Sequence, residues 1–329
     1  MTAATDSERG GQGAGALVRL TRTLEFRMAA LTLVLAAILS VASPYFLTTN
    51  NLLNILDQSV VIGIVAIGMT FVILTGGIDL SVGSIAGVTG VVLGLLLKEV
   101  PIALAIALAI ACGAFIGAIS GTLIAVFGLA AFVVTLGMMA IGRSLAYVLS
   151  GQQSISGLPD GLMSLAYDTV PVIGLQINVA ILIGLFVIAW FYLNRTKGGR
   201  TIYAVGSNKE AARVAGLNVT FYTILPYVVS GALSAVAVTL IAAQILSIDP
   251  LAGNLLELDA IAAVVIGGAS LYGGRGSIIG TVFGVLIMVM IRNGMNLLGV
   301  SPFWQGAAIG TIIITAVLIE RLLNRRGRA

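Results

Sequence analysis

Charge is what this sequence has least of. Lys, Arg, Asp and Glu make up 9% of its 329 residues, and 59% are hydrophobic. A water-soluble domain carries about 25% charged and about 45–50% apolar residues, so a soluble enzyme is excluded before any motif is read. Histidine is absent, which removes imidazole bases, His-based zinc sites and histidine proton relays. Cys112 is the single cysteine and lies inside an apolar run, leaving neither a disulfide framework nor a thiolate metal site. No secretory signal pattern opens the chain, because Asp6 and Glu8 precede any apolar run. Nor is there a GxxxxGK[ST] loop to cradle ATP phosphates, a row of arginines to sense voltage or a TVGYG-like filter.

Long apolar runs are what the sequence has instead. They are continuous rather than alternating, which disfavours a barrel. Roughly 20 apolar residues cross a bilayer. The uncharged stretches divide into ten such spans: 28–47, 58–78, 80–97, two in 100–142 with a turn near Phe127-Gly128 and an extension to about Leu149, then 169–194, 214–248, 260–274, 276–291 and 293–319. The expected fold class is therefore an all-α polytopic membrane protein of about ten transmembrane helices, some short or discontinuous. Basic loops stay in the cytoplasm. Arg9, Arg19, Arg22 and Arg27 precede the first span; Arg195, Lys197, Arg200, Lys209 and Arg213 share one loop; Arg321, Arg325, Arg326 and Arg328 follow the last. Six spans precede the central loop and four follow it, so all three basic places fall on one side. Both termini are expected inside, and the loop 150–171, with Asp160 and Asp168 and no basic residue, outside. Residues 1–27 read as a cytoplasmic tail. Leu17, Leu20 and Leu24 share a helical face there, fitting either an in-plane helix at the inner surface or a solvated basic tail. Residues 28–322 read as the membrane domain and 323–329 as a basic cytoplasmic end. The net charge of +4 is accounted for by this placement and is no sign of nucleic acid.

Glycine punctuates the chain twice in the same way. Gly76-Gly77-Ile78-Asp79-Leu80 precedes Gly83-Ser84-Ile85-Ala86-Gly87; Gly267-Gly268-Ala269-Ser270-Leu271 precedes Gly276-Ser277-Ile278-Ile279-Gly280. Matching breaks in two halves mark duplicated transporter folds with discontinuous helices, although 41 glycines also make short matches cheap. Offset by six spans the copies point the same way; with one short segment failing to cross, they are inverted. Polar residues beside apolar runs are costly and thus functional candidates. Asp79 or Ser81 caps the next helix, lines a polar path, or does both. Asn293 and Asn296, around Gly294, either meet a hydroxylated ligand or join helices. Glu257 and Asp259 read as caps or partner contacts rather than proton carriers. In the central loop, 195–220, Asn208 can cap a short helix through Lys209, Glu210 and Arg213 that Gly216 ends. That helix fits docking to a cytoplasmic partner, with Ala211, Ala212 and Ala215 small enough for close approach. The plainer account is a surface loop that only fixes topology.

Glu210-Ala211-Ala212 with Gly216 four residues on resembles the EAA-x-x-x-G loop of bacterial ABC-transporter permeases, its later part kept only loosely as Ile224-Leu225-Pro226. Two stretches are more specific. The run from Ile73 through Thr75-Gly76-Gly77-Ile78-Asp79-Leu80-Ser81 to Ser84 is similar to the signature of ribose-type monosaccharide permeases. So is the run from Glu257 to Gly268 followed by Asn293-Gly294-Met295-Asn296-Leu297-Leu298-Gly299-Val300. The similarity extends from about Leu24 to Ile319. It implies the permease subunit of a bacterial inner-membrane importer that translocates a monosaccharide or similar small polyol, itself not an enzyme. The implied partners are a second permease copy (homodimer or close paralogue), a cytoplasmic ATPase that holds ATP and Mg, a periplasmic sugar-binding protein and membrane lipid. Under it Asn208, Lys209, Glu210, Ala211, Ala212, Arg213 and Gly216 would couple to the ATPase. Asp79, Ser81, Asn293 and Asn296 would line the substrate path, and Gly76, Gly77, Gly267 and Gly268 would break helices. Which sugar is carried is not implied. The rival reading is an ion-coupled secondary transporter of a small neutral solute, with Asp79 as its available carboxylate. A membrane-embedded enzyme lacks any pairing of nucleophile with base.

Overall fold

The computed structural model describes residues 24–171, 174–301 and 303–326. The expected in-plane helix and the last basic residues fall outside these, except that residues 24–27 open the first helix and residues 323–326 close the last. Among the described residues seven helices are long and apolar enough to cross a membrane. They are α1 (Leu24–Ala42), α2 (Thr49–Leu74), α4 (Ile102–Ala125), α5 (Ala131–Ser150), α7 (Ile177–Arg195), α10 (Val219–Ile245) and α12 (Ile278–Leu297). The shorter apolar α3 (Val82–Leu96), the 11-residue α11 (Leu256–Ile266) and α13 (Phe303–Arg326), apolar over Trp304–Thr315, complete the ten. Between them lie strand β1 (Ile155–Ser156), a 3-10 turn at Asp160–Met163, α6 (Ser164–Tyr167), the polar α8 (Lys197–Ser207) and α9 (Lys209–Val214), and strand β2 (Ser247–Ile248). The pair expected in 100–142 turns where the sequence placed it: Gly128 takes φ +68° between α4 and α5.

Glycine sets the packing around α10, the central helix. Gly113, Gly117 and Gly121 repeat every fourth residue on α4, and a Cβ at any of them would run into the backbone of Gly231, Tyr227 or Ile224 on α10. Lipid tails are as apolar as leucine, so helix association in a membrane relies on this close small-residue contact.

Side-chain pairs fix the helix directions. Thr70 bonds Thr281 at 2.8 Å and Asn51 bonds Asn293, so α2 and α12 run antiparallel. Gly267 abuts Gly280 and Asp259 pairs with Arg292, so α11 and α12 do as well. Hence α2 and α11 run toward the same end and both glycine breaks turn there. The breaks touch: the Gly274 amide donates to Leu74 O at 2.9 Å. The two copies of the glycine pattern therefore point the same way.

That outcome needs explaining, because α11 is too short to cross. Eleven residues rise about 16 Å, half of a hydrocarbon core of about 30 Å. The other half is supplied by the irregular segment 246–255, which doubles back along α3. Ile248 lies against Gly90 and Gly94, Pro250 O against Gly87 and Gly253 against Gly83. Those four glycines share one helical face and admit a bare backbone. Irregular backbone at membrane depth is tolerated only under protein cover, and β1 adds some by pairing antiparallel with β2, Ile155 opposite Ile248.

Candidate functional site

The break after α2 is built around Asp79, which is 1% exposed. Its Oδ1 accepts the Ser81 amide at 3.0 Å and the Ser81 hydroxyl at 2.5 Å; its Oδ2 accepts the Ser230 hydroxyl of α10 at 2.8 Å. Asp79 thus holds the turn ahead of α3 without capping the helix, since Ser81 occupies the N-cap and no side-chain cap bond is made there, and it ties the break to the central helix. The Tyr227 hydroxyl is buried beside Gly77 with no hydrogen-bond partner among the described residues. Nothing in the sequence singled out Ser230 or Tyr227, since both sit in an ordinary apolar run 150 residues away.

A second polar group lies where the re-entrant segment meets α3. Arg143 of α5 donates to Pro250 O at 3.1 Å and to Ala252 O at 3.4 Å, holding the irregular backbone in place. Glu257, at the start of α11, sits against Gly83, one carboxylate oxygen buried without a partner among the described residues and within electrostatic reach of Arg143. Asp259 pairs with Arg292 of α12 at 2.6 Å. Asp79 and Ser81 are brought together; Asn293 and Asn296 lie elsewhere. Asn293 and Asn51 exchange both amide hydrogen bonds, at 2.7 and 3.0 Å, with both residues buried. Asn296 is exposed and accepts from Gln305 at 2.7 Å. Arg143 was detectable as a lone charge in an apolar run; Asn51 was hidden in what read as a polar loop.

At the end where both breaks turn stands the elbow of α8 and α9. Asn208 caps α9 by accepting the Ala211 amide at 2.9 Å. Gly216 takes φ +76°, and Leu217 N–H reaches back to Ala212 O at 3.0 Å, the six-to-one bond of a Schellman ending. Glu210 and Arg213 pair on the exposed face at 2.7 Å. Ala212 differs from expectation: it is buried against Val205 and Val219 of its own chain. The outward face consists of Lys209, Glu210, Ala211, Arg213 and Val214. The elbow stands directly on the breaks. A Cβ on Gly206, near the end of α8, would meet Leu74 O and Gly274 N, and Tyr203 donates to Gly276 O at 3.1 Å. Burial pushes the Tyr203 phenol above the ordinary tyrosine value, so it remains a donor at physiological pH.

Residues 51–318 match the family described as Branched-chain amino acid transport system / permease component. The ribose import permease protein RbsC of Bacillus subtilis is 44% identical over 88% of this chain and 90% of that one. Its namesake from Escherichia coli K12 is 42% identical, over 88% of this chain and 91% of its own. The D-allose transport system permease protein AlsC of Escherichia coli K12 is 37% identical, covering 90% of both chains.

Proposed function

Because the chain belongs to the permease family of the branched-chain amino acid transport type, we propose that it is the membrane permease subunit of an ATP-binding-cassette importer of a monosaccharide or similar small polyol. The substrate class follows the ribose and allose named for its relatives rather than the amino acids of the family description. A neutral sugar needs hydroxyl-matching donors and acceptors rather than a charge pair, and the break region carries serine hydroxyls, Ser81 and Ser230 among them. ATP, with Mg, is hydrolysed in a separate cytoplasmic subunit, a binding protein delivers the solute from outside, and two permease copies form the pathway in the inner membrane. Asp79 and Ser81 at the break and Asn296 at the far end of α12 line the solute route. Asn293 acts beside it by holding α12 to α2.

The observation that carries this reading is the elbow. A capped, charged, outward-facing helix, α9, is joined through Asn208 to α8, whose end makes backbone contact with the two places where the membrane helices are broken. Work done on α9 from outside the bundle therefore arrives at the breaks without passing through a flexible linker. The test is reconstitution of the permease with its ATPase and binding protein in proteoliposomes. Sugar uptake should require ATP and survive collapse of the proton gradient; the reverse pattern would establish the ion-coupled alternative. Ala211→Trp, on the exposed face of α9, should weaken ATPase co-purification by about 30-fold, the effect of losing an interface contact of about 2 kcal/mol.

A further inference from the structure

A groove of about 210 Å³ with apolar walls runs between α2, α7 and α10. Phe71, Leu185, Ala189, Tyr192, Val229 and Leu233 line it, and the Phe71 and Tyr192 rings, 5.7 Å apart, close one end. Its outer side faces away from the bundle: Ile188, which lines it, is 65% exposed, and Val187 and Phe191 beside it on α7 are exposed as well. From Leu225 to Leu233 the α10 wall extends about 12 Å along the membrane normal, the reach of a length of acyl chain rather than of a sugar.

What lies beyond the closed end identifies the occupant. One turn past Tyr192, α7 ends at Arg195, and Lys197 and Arg200 follow on α8. All three are exposed. Among the described residues none of them is in a salt bridge; the guanidinium of Arg195 lies 5.7 Å from the centroid of the Trp190 ring. Unpaired cations just beyond the end of an apolar groove on a membrane-facing surface match a molecule with a negative head and a hydrocarbon tail. Tryptophan and tyrosine at that level suit the headgroup boundary.

We infer that this groove is a binding site for an anionic phospholipid, one acyl chain lying between α7 and α10 and the headgroup phosphate meeting Arg195, Lys197 and Arg200. The site is independent of which solute the chain carries. It joins α7 to α10 next to the elbow, so an occupied groove braces the base of α8.

The test is native mass spectrometry of the full chain, purified in mild detergent from a membrane containing phosphatidylethanolamine, phosphatidylglycerol and cardiolipin. The wild type should keep one anionic lipid after a delipidating wash. Neutralising Arg195, Lys197 or Arg200 to Gln should lower its retention about fivefold per residue, given the attraction of each cation for an anionic surface. Ala189→Trp should displace the lipid by filling the groove with the cations intact. Thermal melting of each variant separates loss of lipid from loss of fold: a variant that melts with the wild type yet keeps its lipid overturns the site. Equal retention of phosphatidylethanolamine would overturn the headgroup assignment. A cross-link between copies through Ile188→Cys would show that a second permease covers the groove, and would overturn the proposal.

Discussion

Asn51 and Asn293 are reciprocally bonded, each amide donating to and accepting from the other, and Asn51 Nδ2 also donates to Phe46 O at 2.9 Å. Replacing one with leucine strands the other in an apolar surrounding, at about 1–3 kcal/mol for a buried group left unpaired. Replacing both removes that need along with the partner and leaves only the Phe46 carbonyl, which Asn51 also serves, without its donor. The double variant Asn51→Leu/Asn293→Leu should therefore be more stable than the sum of the singles, by a coupling of about 0.5–3 kcal/mol, measured by melting in detergent. Uptake should follow stability through the series. Uptake that stays lost in a double variant of restored stability would place Asn293 in contact with the solute. The sequence presented Asn293 as equally suited to a ligand and to a helix contact, because an amide offers the same donors and acceptors to both. Its partner lies 242 residues away, which no local pattern reveals. Asp79 was easier, since a carboxylate three residues before the start of α3 has a near backbone N–H, that of Ser81, to accept whatever else it does.

Elements follow the same division between local and distant causes. The cap, length and glycine ending of α9 were legible because Asn208, the charged run and Gly216 act within one turn of themselves. The apolar run 260–274 was legible as a short span, but what completes the crossing was not: only the glycine face of α3 shows that backbone rather than helix fills the other half. Nor did the sequence show that α8 ends in backbone contact with both breaks. That contact has a mechanical consequence. Gly206→Ala sets a Cβ against Leu74 O and Gly274 N, and backbone cannot swing aside as a side chain can, so the elbow must shift from the breaks. The docking face of α9 is untouched. Gly206→Ala should keep ATPase binding while coupled uptake falls at least about tenfold, the rate effect of roughly 1.4 kcal/mol. Gly137→Ala, in the interior of α5 with open space around it, is the control. It should be neutral or stabilising by up to about 1 kcal/mol, because alanine favours the helix. Full coupled uptake by Gly206→Ala would show that force enters elsewhere.

At the scale of the whole molecule the question is how many times the chain crosses. The charge rule requires an even number of crossings before and after the central loop, and the antiparallel contacts of α12 with α2 and α11 require the same by geometry. Both hold only if the segment 246–266, irregular for half its length and helical for the other, counts as one crossing. A hydropathy threshold misses it, since 11 helical residues fall short of a span. Labelling decides the matter. In a Cys112→Ala background, single cysteines replace Asp160 beside β1, Lys209 at the elbow and Ser301 between α12 and α13, all three exposed. An impermeant thiol reagent should label the cysteines at 160 and 301 in intact cells, and the one at 209 only after the membrane is opened. If 246–266 merely dipped in and returned, α12 would start from outside, and the cysteine at 301 would then label with 209 instead of with 160. The parallel arrangement of the two glycine breaks would fall with it. The elbow would then lie on the same side as the end of α12, but still against Leu74 and Gly274 at its start, and those two conditions cannot hold together in a chain whose α2 and α12 meet at both Thr70–Thr281 and Asn51–Asn293.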